Sequence, residues 1–210
     1  MFTERTVADF LDALASSEPT PGGGSTAALA GALAAGLVSM VCQLTIGKRR
    51  FRDVEAALQE ILAQAEALRQ RMGELMERDA AAYTSVMGAY RLPNHTPEEQ
   101  QHRQSVMQKA LEEATLVPLE IAEGCAQILE LALPAAELGN PWAVSDAGAA
   151  ALLAEAALYA ALLNVHINLR NQQDTPLAAD ARHRMDDLTA RAKQKERILE
   201  LVHQRIASGS

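Results

Sequence analysis

A chain of 210 residues that is 49% hydrophobic is long enough for one domain with a sizeable core, yet only 3% is aromatic, so alanine and leucine must carry the packing. Its 27 acids exceed its 19 lysines and arginines, for a net charge of −8, which excludes a nucleic-acid surface spread over the fold. Cys42 and Cys125 lie in apolar stretches without metal or redox spacing, which points to buried reduced thiols in a cytoplasmic protein, and Met1 to Ser17 lacks the uninterrupted apolar core of a signal peptide.

In chain order, a short amphipathic helix is expected from about Val7 to Ala15. The segment "PTPGGGST" follows, where two prolines and three glycines disfavour helix and strand alike. The next helix is expected from near Ser25 to near Gly47. Leu29, Leu33, Leu37, Met40 and Leu44 form one stripe on it, and its other faces are Ala, Gly, Val and Ser. A helix apolar all round must be enclosed, by the bundle or by a partner subunit. Residues Pro19 to Gly47 carry no charge, which raises a membrane span. Their small and polar residues, Gln43 among them, favour burial in protein.

Asp53 is expected to cap a long helix reaching about Tyr90, with Val54, Leu58, Ile61, Leu68, Met72, Leu75, Val86 and Tyr90 in the core. "LPNHTPEE" ends it, and Thr96, Pro97 and Glu99 form an N-cap, first-turn proline and capping-box acid. The following helix is expected to kink at Pro118 and stop near Leu133, before a break at "LPAAELGNPWAVS". Ser145 is expected to cap a helix through about Leu169, and Thr175-Pro176 to open the last. With no alternating strand pattern and no internal repeat, the expectation is a single domain over 1–210: an all-α antiparallel bundle of five or six helices.

Four features carry possible chemistry. The glycines of the loop Pro21, Gly22, Gly23, Gly24, Ser25 allow backbone N–H groups close approach to a ligand, or let two helices pass closely. There is no Lys-Ser or Lys-Thr pair after the last glycine, so it is not a P-loop. The run "GKRRFR" puts Lys48, Arg49, Arg50 and Arg52 after a helix C-terminus, as a dipole cap or as a dock for an anion. Asp79 shares a helix face with Met72, Leu75, Met76, Tyr83 and Val86, where an unpaired charge is expensive. It either pairs with a cation or is kept for function, and Glu120 is a weaker case of the same kind. Finally, Asp146 follows Ser145 in a first turn, and Asn164 and Asn168 stand one turn apart, for helix–helix bonding or for a site. Histidine spacing suggests no metal.

Taken together, "PTPGGGSTAALAGALAAGLVSMVCQLTIGKRR", "RDAAAYTSVMGAYRLP", "ATLVPLEIAE" and "GNPWAVSDAGAAALLAEAALYAALLNVHINL" resemble the formiminotransferase-cyclodeaminase family. The similarity is to its cyclodeaminase module and to the single-domain methenyltetrahydrofolate cyclohydrolases, from about Phe10 to Asn171. It implies a helical homodimer acting on a tetrahydrofolate derivative, without further cofactor. The chemistry is either conversion of 5-formimino- to 5,10-methenyl-tetrahydrofolate with loss of ammonia, or hydration of the methenyl ring to 10-formyl-tetrahydrofolate. A separate formiminotransferase is a possible partner, and neither nucleic acid nor membrane is expected.

By the same resemblance the family's glycine loop falls on Pro21 to Ser25, its helix-end pair on Gly47 and Lys48, its acid on Asp79, and its Ser-Asp pair on Ser145 and Asp146. Asp79 is then the expected acid or base, Lys48 its orienting cation, and Asp146 the holder of a substrate nitrogen. Arg49 and Arg50 suit the anionic glutamate tail, and Asn164 and Asn168 join the binding set. Many members have Leu-Pro-Lys where this chain has Leu92-Pro93-Asn94, without the cation. Two other classes compete: a non-catalytic dimerisation module, and a bundle metalloprotein. The latter needs two Glu-x-x-His pairs, and only Glu99 with His102 is present.

Overall fold

The computed structural model describes residues 1–170 and 175–208. It contains seven α-helices: α1 Val7–Leu14, α2 Gly23–Gln43, α3 Glu55–Tyr90, α4 Pro97–Leu138, α5 Val144–Leu169, α6 Pro176–Ala192 and α7 Gln194–Ser208. No strand occurs among the described residues. The all-α expectation holds, with the expected last helix split into α6 and α7.

Local chemistry explains most of the boundaries. Thr6 and Asp9 cap α1 reciprocally. Thr96 accepts from the Glu99 N–H while the Glu99 carboxylate accepts from the Thr96 N–H, and Pro97 takes the first-turn position it tolerates. Thr175 caps α6. Five expected boundaries shift, one of them the end of α4, at Leu138 instead of near Leu133. Gly23 and Gly24 are already helical. α2 ends at Gln43, and the chain turns at Gly47, whose φ of 80° favours glycine. A 3-10 turn over Arg49–Val54 precedes α3, so Asp53 is no cap. Ser145 lies inside α5, whose N-cap is Ala143.

α4 runs through both Pro118 and Pro134. Pro118 lacks the N–H that would bond the Ala114 carbonyl one turn earlier. The Asn168 amide from α5 donates to that carbonyl instead. This tertiary bond offsets part of the cost of an interior proline within a continuing helix.

Helices α2 to α5 form the central bundle. α2 runs antiparallel to α3, with Ser25 beside Asp79 and Gly31 beside Met72. It runs antiparallel to α5 also, with Gly23 beside Asn164 and Thr45 bonded to Asn140. Arg78 binds Glu113 and Glu120 across α3 and α4, so the acid at Glu120 has its cation. α6 and α7 lie along α4, where Arg184 pairs with Glu123 and Arg191 with Glu130, both 61 residues apart in sequence. Such partly exposed pairs are worth roughly 0–1 kcal/mol each, and they set register more than stability.

Of the faces of α2, the bundle buries the small-residue one and not the leucine stripe. Ala27, Ala28, Gly31, Ala34, Ala35, Val38, Val41 and Cys42 face the core, while Leu33, Met40 and Leu44 are exposed and Leu29 and Leu37 half-buried. Small side chains let three neighbouring helices approach closely, and the leucines are left facing outward. On α3, Tyr90 is exposed rather than in the core.

Candidate functional site

The acid expected on an apolar helix face is half-buried, above buried Met72, Leu75 and Met76. The Ser25 hydroxyl donates to Asp79 Oδ2 at 2.8 Å, and among the described residues no cation pairs with it. Burial pushes the Asp79 carboxyl up from its ordinary value, and the Ser25 hydroxyl and backbone N–H pull it down more weakly. The resultant is upward, which favours a carboxyl able both to hold and to release a proton.

Glycine makes the approach of Asp79 possible. A Cβ built on Gly24 would lie 2.0 Å from Asp79 Oδ1, well inside contact distance. Gly22 is the N-cap and offers no capping side chain, so the carboxylate of α3 takes over part of that role in space. Each glycine costs about 1 kcal/mol of helix propensity against alanine, which is why sequence rules read these residues as loop. On the other flank the Asn164 amide stands over Gly23, 3.4 Å from where a Cβ would sit, and donates to the Ala160 carbonyl. Buried Pro21 leads into this turn. Asn168, one turn on, is engaged by the Ala114 carbonyl of α4.

The remaining candidates lie at the opposite end of α2. That helix has 21 residues, and at 1.5 Å rise per residue its ends are about 30 Å apart. Lys48, Arg49 and Arg50 are exposed just beyond its C-terminus. There the Asn140 backbone N–H donates to Thr45 Oγ1 at 2.8 Å and the Asn140 amide to the Leu44 carbonyl at 3.3 Å. This clamps the loop before α5, with exposed Ser145 and half-buried Asp146, onto the same end. Within one chain, therefore, neither Lys48 nor Asp146 reaches Asp79.

One residue of this end escaped the sequence reading. Trp142, the sole tryptophan, is 92% exposed. Its signal was its place in "GNPW", beside the resembling Ser-Asp pair.

Cys42 and Cys125 are unpaired and buried, and burial raises their thiols to about 11 and about 12, so both are poor nucleophiles. Among the described residues no group of three His, Cys, Asp or Glu could hold a metal ion. Gly23–Gln43 and Pro141–Leu169 are long and apolar enough to cross a membrane by length and composition, with 56% and 50% of those stretches buried in the bundle.

Fold and site thus define a helical bundle with a half-buried carboxyl, its proton affinity raised by burial, set against a glycine-opened helix start. Residues 6–187 match the formiminotransferase-cyclodeaminase family model, and the chain belongs to that family. It is 44% identical over 207 residues to the methenyltetrahydrofolate cyclohydrolase of Methylorubrum extorquens, covering 98% of this chain and 100% of the relative. It is 34% identical over 190 residues to the formimidoyltransferase-cyclodeaminase of Rattus norvegicus, covering 90% of this chain but 35% of that longer protein. The crystal structure of formiminotetrahydrofolate cyclodeaminase from Thermotoga maritima matches with a TM-score of 0.87 at 27% identity, covering 97% of this chain and 98% of that one. The chain is accordingly a folate one-carbon enzyme of this family.

Proposed function

We propose that the chain is a methenyltetrahydrofolate cyclohydrolase in which Asp79 transfers the protons. The observation that carries the role is a carboxyl raised by burial at the bare start of α2. The choice of reaction rests on likeness to a single-domain cyclohydrolase along that relative's whole length. Water adds to the one-carbon centre between N5 and N10, and Asp79 takes a proton from it. The bond from that carbon to N5 then breaks. Asp79 returns its proton to N5, and the second proton of the water leaves to solvent, giving 10-formyl-tetrahydrofolate. A base that must next act as an acid works best with its proton affinity near the working pH. Burial raises the proton affinity of Asp79 above that of an exposed aspartate, the direction that this double role needs.

A second reading, formimidoyltetrahydrofolate cyclodeaminase, is favoured by the Thermotoga maritima structure. It uses the same carboxyl: N10 attacks the formimino carbon, and Asp79 moves the N10 proton to the departing nitrogen. That nitrogen leaves as ammonia after taking one more proton from solution. Both readings comprise addition, elimination and proton transfer with no change of oxidation state, so no cofactor beyond the tetrahydrofolate-derived substrate is included. Two unpaired thiols suit a cytoplasmic setting. The active form is a homodimer, because α2 leaves a leucine stripe uncovered in the single chain.

Absorbance assays offering the purified protein methenyl- and formimino-tetrahydrofolate separately decide between them. The expected outcome is accelerated loss of the methenyl compound without ammonia release from the formimino compound. Turnover of the formimino compound alone establishes the second reading, and turnover of neither removes both.

A further inference from the structure

The face of α3 that carries Asp79 loses its cover part-way along. α2 packs on it at Met72, which meets Gly31, and at Asp79, which meets Ser25. α2 starts at Gly23, so the cover stops there, while α3 runs on to Tyr90. The next positions on that face, four, seven and eleven residues beyond Asp79, are Tyr83, Val86 and Tyr90. Val86 is half-buried and both tyrosines are exposed. Aromatic side chains are scarce in this chain, with three Phe, three Tyr and one Trp. Phe2 and Phe10 pack edge to face at 5.8 Å, and Phe51 lies under the Arg50 guanidinium. Among the described residues the Tyr83 ring has neither kind of partner, and no hydrogen bond holds its hydroxyl.

Tyr83 stands one turn from Asp79. Side chains four apart on a helix have Cβ atoms roughly 5–6 Å from each other, and each leans toward the helix N-terminus. The Tyr83 ring therefore leans back over the turn that carries Asp79. Charge indicates what such a pair receives. Asp79 has no cation partner among the described residues, and its neighbour Arg78 is turned to Glu113 and Glu120 of α4. A carboxylate and the electron-rich face of a ring both attract a cation. The substrate of either reaction brings one. The bridge from N5 through the one-carbon centre to N10 in the methenyl compound is an amidinium, and the formimino group becomes an amidinium on protonation. The hydration product, 10-formyl-tetrahydrofolate, is uncharged there.

We propose that Tyr83 is a substrate-binding residue whose ring face, beside Asp79, receives the cationic one-carbon bridge of the folate. The bridge lies over the ring, within about 6 Å of its centroid. The ring holds the charged substrate and loses that hold once hydration has neutralised the bridge, which favours exchange of product for new substrate. The inference rests on Asp79 as the proton-transfer group and adds the residue that selects the charged form.

The test separates ring from bulk and charge from shape. Tyr83→Leu keeps an apolar side chain and removes the ring. Its KM for methenyl-tetrahydrofolate should rise about two- to thirtyfold, the range of a cation over an aromatic face, with kcat changed less. The inhibition constant of uncharged 10-formyl-tetrahydrofolate, read in the same absorbance assay, should move by less than about twofold. Tyr83→Phe should recover most of the loss, because the ring face remains. Tyr90→Leu, about 10 Å farther along the same face, should leave KM at the wild-type value. An unchanged KM in Tyr83→Leu overturns the proposal. So does equal weakening of the uncharged product, a Tyr83→Phe variant as impaired as Tyr83→Leu, or an equal effect of Tyr90→Leu. Melting midpoints check each fold, and Tyr83→Gln replaces a Tyr83→Leu variant that does not fold. If the wild-type protein turns over neither folate, the proton-transfer reading fails, and calorimetric titration judges the ring by itself. Wild type should then bind methenyl- more tightly than 10-formyl-tetrahydrofolate, and Tyr83→Leu should not. Absence of that preference, or of any binding, overturns the proposal.

Discussion

The two ends of α2 are built from opposite materials. At its start, a serine meets one half-buried carboxylate from α3 at hydrogen-bond distance beside bare glycines, and burial raises that carboxyl's proton affinity. At its finish, exposed cations and an exposed tryptophan stand on a loop clamped by Asn140. The first end is tightly fitted, so small changes there should have large effects. The second is wet, so changes in its outer charges should be graded and screened by salt.

The sharpest way to break that contrast is Asp79→Asn. The amide keeps an acceptor for Ser25 and removes the proton transfer, so turnover should fall by roughly two to four orders of magnitude while the fold is retained. Stability should move the other way. A carboxyl whose proton affinity is raised by folding makes the native state less stable as pH rises from its ordinary value of 3.8 to its higher folded value. Above that window the deficit stays constant. The melting midpoint of Asp79→Asn should therefore pull ahead of wild type as pH increases past 3.8. Near-normal turnover removes Asp79 from the mechanism, and a fold that collapses makes it structural.

Gly24→Ala is next in size. The new Cβ would need the space of Asp79 Oδ1, 2.0 Å away, so the carboxyl must shift. A displacement of about 1 Å costs on the order of a hundredfold in rate, seen in kcat more than KM. Helix propensity rises by about 1 kcal/mol with alanine, which limits the loss of stability. Unchanged kcat at an unchanged melting midpoint would mean that the close approach does not position the acid.

The smallest effects belong to the basic end. Arg49→Ala and Arg50→Ala should each raise KM for a polyglutamylated substrate by up to about fivefold, the equivalent of 0–1 kcal/mol, with the difference fading at high salt. Effects on kcat as large as those at Gly24 would erase the distinction between the ends.

How far these ends were legible differs from residue to residue. Asp79 was visible because helical spacing alone puts an acid among Met72, Leu75 and Met76. Its partner Ser25 was visible as a loop residue, but their bond joins positions 54 apart in sequence. Trp142 was passed over because periodicity does not report exposure.

By itself the sequence determined the helical class, through alanine- and leucine-rich segments of helical period, and the helix starts at Thr6, Thr96 and Thr175, where capping is settled within four residues. It also determined that one carboxylate would be out of place. Tertiary structure alone decided what depends on neighbours distant along the chain. It turned the alanine face of α2 inward and the leucines outward, because close helix approach excludes large side chains. It carried α4 past the stop expected near Leu133 to Leu138, and it gave the Ala114 carbonyl, left without its helical donor by Pro118, the Asn168 amide. And it set Lys48 and Asp79 at opposite ends of one helix, because 21 helical residues extend the chain by about 30 Å.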